Sequence, residues 1–84
     1  MLNELTLSGA LELSNIAELK RMLAEKLAVS APLSIDLAAV STMDTAVVQL
    51  LVAAKVEKSD LSLVNCPDGI VETFDRLGVM RLLL

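Results

Sequence analysis

Leu33-Ser-Ile-Asp-Leu-Ala-Ala-Val-Ser-Thr-Met-Asp-Thr-Ala-Val-Val-Gln-Leu-Leu-Val-Ala-Ala54 reads as an apolar strand, a short loop and a helix that opens on Asp44-Thr45. Leu33, Ile35 and Leu37 alternate with Ser34 and Asp36, the period of a strand with one buried face. From about Thr45 to Glu57 the chain instead reads as a helix whose apolar residues from Ala46 to Ala54 spread around the wheel with only Gln49 interrupting. A helix start in so small a domain can hardly be covered completely, so some of Ala46, Val47 and Val48 are expected to face solvent or a partner. A helix start exposes unpaired N–H groups and the positive end of the macrodipole, so a hydroxyl placed there is either a cap or a seat for phosphate. Thr45 is that hydroxyl.

The same alternation of strand and helix extends in both directions. Upstream, Leu5-Thr-Leu-Ser and Leu11-Glu-Leu have strand character on either side of Gly9, which predicts strand segments near 4–8 and 11–13. Asn15 with Glu18 has the spacing of a capping box, and Ile16, Leu19, Leu23 and Leu27 form one apolar stripe of a helix near 15–28. Pro32 ends it. Downstream, Leu61-Ser-Leu-Val64 predicts a strand. Pro67 and Asp68 then open a helix near 67–77 with Ile70, Val71, Phe74 and Leu77 inward, and Gly78 caps its end. Val79 to Leu84 reads either as a last strand or as an extended apolar tail. Helices between strands require crossover connections, so the expected class is α/β: one small domain over 1–84, a mixed and mainly parallel sheet, and about three helices.

With 84 residues the core must be dense, and it must be aliphatic, because 55% of residues are hydrophobic while Phe74 is the single aromatic. A net charge of −4, with no basic cluster and no Trp or Tyr, argues against nucleic acid and against an anionic membrane surface. The longest nearly apolar run, Ala46 to Ala54, falls far short of the ~20 residues a membrane span needs. The first residues lack the pattern of a signal peptide, and one Cys forms no internal disulfide, so the expected compartment is the cytoplasm.

The chain has no His, and Cys66 alone assembles no thiolate metal site, which argues against metal-dependent and triad chemistry. No cofactor and no catalytic residue are expected. The remote alternative is a small enzyme using Asp36, Asp44 or Cys66. Against it, either carboxylate can equally hydrogen-bond loop backbone, and Cys66 can equally be a small buried hydrophobe.

Taken in order, Ile35-Asp36-Leu37, Val40-Ser-Thr-Met43, Asp44-Thr45, Gln49-Leu-Leu51, Leu61-Ser-Leu-Val-Asn65 and Phe74-Asp-Arg-Leu-Gly-Val79 resemble a STAS domain, the fold of bacterial anti-sigma factor antagonists. The resemblance covers nearly the whole chain. It implies a non-catalytic interaction module whose hydroxyl after the loop Asp is phosphorylated by a partner kinase, and it puts that role on Thr45. Binding is then expected through Asp44, Thr45, Ala46, Val47 and Val48 at the helix start, to an anti-sigma factor of the kinase kind. The sequence departs from the pattern where Val47 replaces the family's Gly, which is expected to add apolar bulk at the docking surface. That departure favours the alternative of a constitutive STAS subunit in a larger assembly, such as a lipid-transport ATPase or a chemosensory complex. The plain alternative for Thr45 is that it, or Asp44, only caps the helix, worth about 1 kcal/mol.

Overall fold

The computed structural model describes residues 3–84; Met1 and Leu2 of the expected domain lie outside the described residues. Strand β1 (Asn3–Leu11) leads through a short 3-10 turn at Leu13–Asn15 into helix α1 (Ile16–Leu27), followed by β2 (Leu33–Met43) and α2 (Thr45–Glu57). Strand β3 (Ser62–Val64), α3 (Asp68–Arg76) and a short α4 (Met80–Leu83) complete the chain. The described sheet has the order β1-β2-β3 with both pairings parallel, and α1 and α2 provide the crossovers that parallel neighbours require.

Each strand sends one set of side chains toward the helices. Leu5, Leu7, Leu33, Ile35, Leu37 and Leu63 join Leu19 and Leu23 of α1, Leu51 of α2, and Ile70 and Phe74 of α3 in one aliphatic core around the single aromatic ring. The opposite side chains, Glu4, Thr6, Ser8 and Ser62, are exposed. The sheet is therefore covered by helices on one face and meets solvent with a polar one. Helix α3 ends in a Schellman motif: the Gly78 N–H donates to the Asp75 carbonyl and the Val79 N–H to the Phe74 carbonyl, with Gly78 at φ 74°.

Several boundaries differ from the expected ones, each for a local reason. The segments near 4–8 and 11–13 are one strand: β1 runs through Gly9, which takes φ 78° and bends the strand without breaking it, and ends at Leu11. Asn15 does not box with Glu18. Its side-chain oxygen accepts the Glu12 N–H at 2.9 Å, while Glu18 pairs with Arg21. The segment Val79 to Leu84 is neither a strand nor a tail, because α4 docks there with Leu83 buried. Leu77 lies just past the end of α3 and is 39% exposed instead of completing its inner stripe.

The largest difference is the length of β2, which continues six residues past the expected end at Leu37. The pairing explains it. Between Thr6 and Ser8 the partner residue advances from Asp36 to Ala39, and between Gly9 and Ala10 from Val40 to Thr42, so β2 holds one extra residue at each place. Each bulge inserts an exposed position, and the buried residues Leu37, Val40 and Met43 fall three apart instead of two.

Candidate functional site

The bulged half of β2 carries the chain to the start of α2. Asp36 sets its course. One carboxylate oxygen accepts the Ala38 N–H at 2.9 Å at the first bulge, and the other accepts from the Asn65 amide at 3.2 Å. Asn65 itself sits at φ 55°, a conformation Asn tolerates better than most residues, and this turns the chain after β3 back toward Asp36. Asp36 is thus a joint between two strand ends.

Asp44 is a second joint. Its N–H donates to the Leu11 carbonyl at 2.9 Å, its side-chain oxygen accepts the Leu13 N–H at 3.0 Å, and its carbonyl accepts from the Val47 and Val48 N–H groups. It therefore ties the end of β1 to the first turn of α2. The carboxylate, although at the N-cap, makes no hydrogen bond to its own helix. The expectation that Asp44 or Thr45 caps α2 through its side chain is corrected accordingly: Asp44 reaches across to Leu13, and the Thr45 hydroxyl, exposed on the first helical residue, has no hydrogen-bond partner among the described residues.

Val47 and Val48 stand otherwise than expected. Val47 is 0% exposed and Val48 is buried with it, while Ala46 is half-buried. The reason is the position of α2 in the middle of the helical layer, in contact with α1 on one side and α4 on the other. The bulk that Val47 adds is directed into the core and leaves the approach to Thr45 open. Val47 offers no side-chain surface to a partner, and Val48, almost fully buried, only floors the groove beside Thr45.

What lies beside Thr45 is a groove of about 240 Å³ between α2 and the α3–α4 junction, lined by Thr45, Val48, Gln49, Val52, Leu77 and Val79. Along α2, Thr45, Gln49, Val52 and Val56 follow at helical spacing, and Val56 is 78% exposed. Gln49, Val52, Leu77 and Val79 escaped the sequence reading. The signal for the first two was present: on a helical wheel they share the face of Thr45, opposite Val47 and Leu51. Nothing in the sequence placed Leu77 and Val79 against them.

The residues considered for catalysis have other occupations. Asp36 and Asp44 hold backbone and amide partners as described, and among the described residues no three His, Cys, Asp or Glu side chains converge as a metal site. The half-buried Cys66 packs against the core, and its thiol is pushed up from its ordinary value, first by burial and then by the negative charge of Asp36. A nucleophilic thiolate needs the opposite shift. No helix among the described residues is long and apolar enough to cross a membrane.

The family model described as Mlab, STAS domain matches residues 3–84. The chain therefore belongs to the STAS domain family, whose members act generally as protein-interaction modules. No curated protein matches the sequence.

Proposed function

We propose that this STAS domain binds a regulatory protein partner across the start of α2, in the manner of an anti-sigma factor antagonist, and that phosphorylation of Thr45 releases that partner. The observation that carries the reading is the Thr45 hydroxyl, exposed, without a hydrogen-bond partner among the described residues, and set at the mouth of an apolar groove. A kinase can reach it without unmaking any bond of the fold. Phosphate would add about −1.5 to −2 charge beside Val52 and Leu77, where a docked apolar side chain would have to desolvate it. The modified helix would keep its structure, because negative charge is favourable at a helix N-terminus. On this reading the working surface is Asp44, Thr45, Gln49, Val52 and Leu77, with Asp44 as the residue that positions Thr45. The partner is an anti-sigma factor of the kinase kind in a bacterial cytoplasm.

A second reading is favoured by the stripe Thr45-Gln49-Val52-Val56, which is uncharged along most of α2 and ends in a widely exposed valine. Such a surface suits a constitutive subunit of a lipid-transport ATPase or chemosensory complex, where it stays covered. Intact-protein mass spectrometry of native material, with and without phosphatase, separates the readings. A phosphate on Thr45, with loss of binding in Thr45→Glu, supports the switch. An unmodified Thr45 under all growth conditions, with Thr45→Glu binding as the parent does, overturns the switch in favour of the constitutive subunit.

A further inference from the structure

Helix α2 has another outward flank, turned toward α1 and away from Thr45. There an open groove of about 330 Å³ runs between the two helices, walled by Ala24 and Leu27 of α1 and by Leu50 and Ala53 of α2. Lys20 and Glu57 line it too. Because each helix returns the chain between parallel strands, α1 and α2 point the same way. Lys20 lies one turn before Ala24, and Glu57 one turn after Ala53. The groove thus carries a cation at one end, an anion at the other and small aliphatic side chains between. Both charges are exposed, and neither enters an ion pair among the described residues, whereas the neighbouring Arg21 is held by Glu18 and Glu25.

We propose that this groove is the contact surface of a two-fold dimer, its occupant a second copy of the chain. A two-fold axis lying in the contact plane and running obliquely across the helices turns the surface end for end. It brings Lys20 over Glu57 of the second copy and Glu57 over its Lys20, closing two ion pairs around an apolar centre. The other face-to-face arrangement, about an axis parallel to the helices, sets Lys20 against Lys20 and Glu57 against Glu57. The charges therefore select one geometry. Ala24 and Ala53 let the helix pairs approach closely, where long side chains would hold them apart. A patch of this size is small beside the ~1,200–2,000 Å² of stable interfaces, so the association is weak and reversible. It leaves the Thr45 groove outside, and it stands whether or not Thr45 is a switch.

Sedimentation of the full chain from micromolar to millimolar concentration tests the proposal. The parent is expected to pass reversibly from monomer to dimer. Lys20→Glu and Glu57→Lys should each weaken the dimer about tenfold, since symmetry applies every change twice, and the double reversal should recover it to within about twofold. Ala53→Arg, on an exposed position, should abolish it while the helical circular dichroism is unchanged. Thr45→Glu should leave it as it was. A parent that stays monomeric throughout, a double reversal that does not recover, or a dimer lost on Thr45→Glu overturns the proposal.

Discussion

Helices α1 and α2 lie side by side in one layer and each buries an aliphatic stripe, yet their outer faces have opposite character. Helix α1 turns Glu18, Lys20, Arg21 and Glu25 to water, whereas α2 turns out Thr45, Gln49, Ala53 and Val56. The first charge on α2 is Lys55, and its ammonium donates to the Ser59 carbonyl at the far end of the helix. The contrast separates two reasons for a residue to be apolar. Inside, apolar side chains stabilise the fold; outside, along the Thr45 face of α2, they leave a surface that water holds only weakly. The two kinds of position alternate along one helix, so substitutions a residue or two apart have different consequences.

The sharpest test of that division is Val47→Asp. With no exposure at Val47 the carboxylate would be buried without a partner, a penalty of several kcal/mol added to roughly 1.5–3 kcal/mol of lost apolar burial, against a total stability of about 5–15 kcal/mol. The domain is expected to be largely unfolded by circular dichroism at 25 °C. A cooperative melt close to that of the parent would break the comparison by placing Val47 on the outer face. Gln49→Arg, two positions on, is the counterpart: its melting curve should match the parent's, within about 0.5 kcal/mol, while calorimetric binding of a partner at the Thr45 groove falls.

Smaller effects sharpen the account of the helix start. Asp44→Ala removes the acceptor of the Leu13 N–H, and denaturant unfolding should register a loss of about 0.5–1.5 kcal/mol, part of which Asp44→Asn restores because its amide oxygen can still accept. Thr45→Ala should change stability by less than about 0.5 kcal/mol, since the exposed hydroxyl has no partner to lose among the described residues. A loss above 1 kcal/mol, at the usual value of a cap, would return Thr45 to a structural role.

Much of the fold was legible because periodicity reports on burial. Leu33, Ile35 and Leu37 alternate, Leu19 and Leu23 repeat at helical spacing, and the bounds of α2 came out as Thr45 and Glu57. Legibility failed where a side chain did work that periodicity does not register. The far half of β2 was invisible because Asp36 takes up the Ala38 N–H and permits a bulge, after which the buried positions repeat every third residue. Val47 was misplaced because a helix start in so small a domain looks impossible to cover, and the helix that flanks it, α4, is four residues with no period to detect. At the candidate site, the place of Thr45 as first residue of α2, directly after Asp44, was legible. Its freedom from hydrogen bonds was not, since that depends on Asp44 turning to Leu13, thirty-one residues away in sequence.

The irregular pairing of β1 with β2 also bears on how these molecules behave when crowded. Strand β1 is an outer edge of the described sheet, nine residues long, and an open edge of that length is a template on which another chain can add strands without end. The left-handed Gly9 interrupts that edge in its last third, its pairing with β2 is irregular on either side of Gly9, and the exposed charge of Glu4 stands on the regular run before it. At the other edge, β3 offers three residues. The irregular pairing that leads β2 to the start of α2 thus also leaves little regular edge open to strand addition.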